Sequence, residues 1–160
     1  MNEPRHTELD IAVTLELDPR GRSSFRYRGL GRLGKACVND TGDIDLSRED
    51  GPPPGHVTLR FLLHTPNVGI NGHSHALSFM NGKSFHAAPA DSGKTRGSGA
   101  NSQFYDHATG GQRHEVYCVT DCNDDGAEYK YTLGVIAVSE DGMHWFDHDP
   151  IIKNRPPAGR

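Results

Sequence analysis

Glu128-Tyr-Lys-Tyr-Thr-Leu-Gly-Val-Ile-Ala-Val138, then Ser139-Glu-Asp-Gly142, then Met143-His-Trp-Phe-Asp-His-Asp-Pro-Ile-Ile152 is the stretch that decides the fold. Tyr129, Tyr131, Leu133, Val135 and Ala137 recur at every second residue, the period of a strand with one buried face. The Glu-Asp-Gly turn and the second apolar run read as the antiparallel return of that strand. The alternation recurs upstream. Ile11, Val13, Leu15 and Leu17 oppose Thr14, Glu16 and Asp18; Phe25 and Tyr27 oppose Arg26 and Arg28; Val57, Leu59, Phe61 and Leu63 oppose His56, Thr58, Arg60 and His64. Shorter candidates are Leu77 to Met80, Lys83 to His86, Gln103 to His107 and Glu115 to Thr120. No window of a dozen residues carries an i, i+3, i+4, i+7 apolar stripe, so helices are expected to be absent or a turn long. Roughly seven to nine strands without helices predict an all-β fold, an antiparallel two-sheet sandwich with a squat barrel as the alternative.

Composition agrees with short strands and long loops: of 160 residues only 34% are hydrophobic, while 19 are Gly and 10 Pro. One domain over residues 9–152 is expected, between flexible tails at 1–8 and 153–160. Two long loops fall inside it. Residues 39–55 end in Gly-Pro-Pro-Pro-Gly, which cannot pair within a sheet, and 87–102 offer almost no side chain to bury. A formal charge of -4 gives no pull toward nucleic acid or anionic lipid, and neither is expected as a partner. No run of about 18 apolar residues predicts a membrane span, and the first ten residues lack the apolar stretch of a secretory signal. A cytoplasmic location is the expectation. Cys37, Cys118 and Cys122 are few and odd in number, and are read as reduced thiols.

Two motifs are candidate ion sites. His73 and His75, in Gly72-His-Ser-His-Ala76, stand at i, i+2, where two imidazoles on one strand face share a transition metal. Gly-His-x-His also resembles the first metal motif of cupins, although Leu77 to Met80 lack the Glu of that pattern and no second motif follows. The alternative is a pair of polar loop histidines facing solvent. Asp121, Asn123 and Asp125, in Asp121-Cys-Asn-Asp-Asp-Gly126, match the opening of a calcium loop. The twelfth position is Thr132 rather than Glu, so an acidic turn with Asp-Gly at its tip explains the same residues. The arginines at 20, 22, 26, 28 and 32, with Phe25 and Tyr27 between them, read as a solvated face over two core aromatics. No cofactor is expected beyond these candidate ions.

Tyr129-Lys-Tyr-Thr-Leu133, the turn at Gly142 and Phe146-Asp-His-Asp-Pro-Ile-Ile152 resemble the closing hairpin and Asp-Pro-x-Ile strand of the bacterial inclusion-body protein family. The resemblance covers about a sixth of the chain. It implies a cupredoxin-like sandwich (immunoglobulin-like is the other two-sheet choice), self-association and no catalysis. The Cys, His and Met order of a blue-copper loop is missing after Cys118. The expected function is therefore non-enzymatic, acting by binding or self-assembly, with a homo-oligomer or a protein as partner. The alternative is a small cupin-like metalloprotein or metal-dependent enzyme that uses His73 and His75.

Overall fold

In the computed structural model, which describes residues 7–90, 103–107 and 109–157, the chain forms strands almost throughout. They are β1 (Thr7–Leu17), β2 (Ser23–Leu30), β3 (Ile44–Asp45), β4 (Val57–Leu63), β5 (Asn67–Ile70), β6 (His73–Ser78), β7 (Phe85–Pro89), β8 (Phe104–Asp106), β9 (Val116–Asp121), β10 (Glu128–Ser139), β11 (Gly142–His148) and β12 (Ile151–Lys153). One short helix, α1 (Gly31–Cys37), follows β2. The expected core positions are fully buried: Val57, Leu59 and Phe61 on β4, and Tyr131, Leu133, Val135 and Ala137 on β10, where the intervening Thr132, Gly134 and Ile136 are buried as well. The all-β expectation is met.

The purely antiparallel sandwich is corrected. The first sheet runs in the order β2-β1-β4-β9-β8, and β1 pairs with β4 in parallel, Leu9 opposite Leu59 and Ile11 opposite Phe61. A parallel neighbour needs a long crossover, and β2, α1 and residues 39–55 supply it. In the second sheet β10 is the axis. β11 and β12 line one of its edges, β7 and β6 the other; β5 extends from β6, and β3 joins β12 in parallel. Asp149 and Pro150 divide β11 from β12, because proline cannot donate to the ladder. The inner faces share one aromatic core. Phe61 of the first sheet lies 5.9 Å from Tyr131 of the second, and Phe104 lies 5.1 Å from Tyr129, ring centre to ring centre.

Helix α1 exceeds the single turn expected from the sequence. Its seven residues are too few to show a stripe, and it seats by backbone contact instead. A Cβ at Gly29 would fall 1.9 Å from the Gly34 carbonyl oxygen, so two glycines let α1 lie directly on β2. The expected loop 39–55 contains β3 and is held by hydrogen bonds: the Asn39 side chain accepts from Thr41 N and Asp43 N, and Leu46 N donates to Lys153 O. Of the other loop, residues 87–89 belong to β7, and 91–102 lie outside the described residues. Parts of the expected tails, residues 7–8 and 153–154, are structured. Thr7 and Glu8 pair with Val57 and Thr58; Lys153 belongs to β12, and Asn154 is fully buried. Among the described residues no helix is long and apolar enough to cross a membrane.

Candidate functional site

The β10–β11 hairpin closes on a two-residue turn, Glu140-Asp141, with Ser139 opposite Gly142. Alternation along β11 sends His144, Phe146 and His148 toward the core, and His148 Nδ1 lies 3.0 Å from the Tyr27 hydroxyl. Met143, Trp145 and Asp147 occupy the outer face. Trp145 stands opposite Ile136, and its ring folds across β10. A Cβ built on Gly134 would lie 2.0 Å from the ring, so only glycine leaves room for the indole to rest on the strand backbone. Trp145 Nε1 donates to Asp147 Oδ2 at 2.8 Å, which fixes the ring in plane.

Around this platform the sheet's outer face stays apolar and open. Met143 is 68% exposed, Val138 40% and Trp145 36%. A groove of about 540 Å³ runs beside the indole, lined by Met80, Lys83, His86, Ile136, Met143, His144 and Trp145. Ser84 Oγ accepts from Met80 N at 2.8 Å, closing the turn that presents Lys83 at the groove's rim. A seated aromatic, two methionines and a rim of Lys and His thus line the groove.

The two predicted ion motifs lie on β6 and just after β9. His73 is exposed at the start of β6, whereas His75 is fully buried with both ring nitrogens facing acceptors. Its Nδ1 lies 3.0 Å from the His73 carbonyl oxygen, and its Nε2 lies 2.7 Å from Asp141 Oδ1, close enough for an ion pair but not aligned as a hydrogen bond. The Ser139 hydroxyl binds the same carboxylate oxygen and, with His75, holds the Asp141 carboxyl below the usual range. His144 meets the His75 ring edge-on at 5.2 Å. His75 is thus a pinned core histidine that ties β6 to the β10–β11 turn. Among the described residues no three His, Cys, Asp or Glu side chains gather as metal ligands.

Asp121, Asn123 and Asp125 do come together, but as a clasp. Asp121 Oδ1 accepts from Asn123 N (2.9 Å), and Asn123 Oδ1 accepts from Arg155 N (2.7 Å). Asp125 Oδ1 accepts from Ala127 N and Asn154 Nδ2 (both 3.0 Å), and its Oδ2 accepts from the Tyr129 hydroxyl. Four of the five side-chain oxygens of these residues already serve N–H and O–H donors, as in an acidic turn, and Asp121 Oδ2 has none among the described residues. Burial pushes the Asp121 carboxyl up to about 7.

No protein-family model matches this chain, and no curated protein is found to be similar to it.

The groove was not foreseen from the sequence. Its one signal was Gly134, a glycine inside an otherwise bulky strand, which marks a close approach by another group. That the group is Trp145 follows only from the register of β11.

Proposed function

We propose that this protein acts by binding rather than by catalysis, through the outer face of the β10–β11 hairpin around Trp145. The observation that carries this reading is the indole seated on Gly134 beside exposed Met143 and Val138, over buried Ile136. Large apolar side chains left contiguous and exposed on a folded domain mark contact surfaces. The resemblance of the closing hairpin to inclusion-body proteins points the same way, toward a cupredoxin-like sandwich that associates. A cytoplasmic setting suits three cysteines that form no disulfide among the described residues.

Trp145 is the only tryptophan in the chain, so it reports on its own site. The dye 8-anilinonaphthalene-1-sulfonate should bind the native protein with energy transfer from the indole. Met80→Asp, which places a charge in the groove away from β11, should weaken that binding while leaving the fold intact. Native protein that shows no energy transfer, or transfer that Met80→Asp leaves unchanged, would refute this surface as the binding site.

A further inference from the structure

We propose that β11 pairs antiparallel with β11 of a second copy, about a two-fold axis through Trp145. This deepens the reading above by naming the partner, and it rests on that reading's contact surface. The argument begins with the ladder. In β11, residues 144, 146 and 148 turn their backbone groups toward β10, consistent with Tyr131 N donating to Pro150 O on the same edge of that strand. The N–H and C=O groups of Met143, Trp145 and Asp147 therefore point away from the sheet. Among the described residues nothing pairs with them.

The other free edges are blunted. β3 has two residues, β8 three, β5 four and β7 five, the last of them Pro89. β2 has eight, but it carries exposed Arg26 and Arg28, and its Tyr27 N already donates to Asp40 O. β11 has seven residues, with no Lys, Arg or Pro between Gly142 and His148, and it exposes Met143 and Trp145. Asp147 is its one carboxylate, and it lacks the lysine, proline and short length by which proteins discourage edge pairing.

The register follows from the same groups. Centring the pair on Trp145 sets Trp145 opposite its copy and Met143 opposite Asp147 of the second copy, on both sides of the axis. All three outward-facing residues of each strand then bond, and within the seven-residue ladder no two like charges meet. Sliding by one position sets the core-facing side of one strand against the outer side of the other. Sliding by two brings Asp141 or Asp149 into the ladder, beside Asp147 or Met143, and leaves fewer bonds. Two-fold pairing is closed, so it yields a dimer and not a fibre.

Sedimentation velocity over a wide concentration range, with the full chain, tests the proposal. Wild type should form a concentration-dependent dimer in which the amides of Met143, Trp145 and Asp147 gain hydrogen-exchange protection. Met143→Asp puts like charges opposite one another twice per dimer and should weaken it about tenfold. The double variant Met143→Asp, Asp147→Lys turns each repulsion into an attraction and should restore the dimer. A strict monomer, or a dimer indifferent to Met143→Asp, overturns the proposal. Dye binding that Met80→Asp weakens, found in such a monomer, would show that the contact surface stands while its partner is not a second copy.

Discussion

Glycine in the middle of a strand costs stability unless another group needs the space that its absent side chain leaves. Gly134 meets that condition, since the Trp145 ring occupies the place of a Cβ. Gly134→Ala should therefore lift the indole off the strand even though alanine is the better strand former. We expect a loss of about 1–3 kcal/mol in denaturant unfolding, typical of overpacking, and a red shift of the single tryptophan emission. An unchanged midpoint and emission would mean that the ring does not rest on the backbone. Position 75 shows the opposite case. A histidine that reads as a ligand by spacing is fixed by a carboxylate far along the chain, Asp141, and no local pattern announces that partner.

At the scale of elements, the segment from Asn39 to Leu46 is a structural tie between the sheets' margins. Asp43 Oδ1 accepts from Ile151 N at 2.9 Å, beside the parallel pairing of β3 with β12, and the Tyr131 hydroxyl donates to the Gly42 carbonyl. Asp43→Ala should cost about 1 kcal/mol and speed hydrogen exchange at Ile151, with the core amides of β4 unaffected. Exchange at Ile151 no faster than in wild type would count against the tie. Strands of this kind could not be read in advance. β1, β4, β9 and β10 are legible because each runs six or more residues with apolar side chains at every second position against one continuous core. β3 and β5 are too short to show a period, and α1 sits by glycine contact rather than by an apolar stripe. The parallel pairing of β1 with β4 depends on where a long crossover returns, which is set by tertiary packing. For the site, the hairpin was legible, but the indole folding back across it was not.

Over the whole molecule, the clasp at Asp121 joins the end of the first sheet to the segment leaving the second. Asp121 ends β9 opposite Val57 and Phe104, while Asn154 and Arg155 follow β12. Asp121 Oδ2 and Asn154 Oδ1 are both buried acceptors without a partner among the described residues. Burial raises this carboxyl from 3.8 to about 7, so the folded state holds a proton that the unfolded chain releases. Its stabilisation is complete below about pH 4 and is lost as pH rises through 7. Asp106, also raised by burial, slopes the same way, whereas Asp18, Asp50 and Glu115 are lowered by their hydrogen bonds and stabilise the fold once ionised. Those last three act in the opposite sense, so the loss as pH rises comes from Asp121 together with Asp106, and Asp121 is the more strongly raised. Urea unfolding should therefore show a loss on the order of 3 kcal/mol between about pH 5 and pH 8. Asp121→Asn keeps an oxygen for Asn123 N and places an N–H where the proton was. It should flatten the slope and leave the variant more stable than wild type at the higher pH; an equally steep slope in the variant would assign the titration to another group.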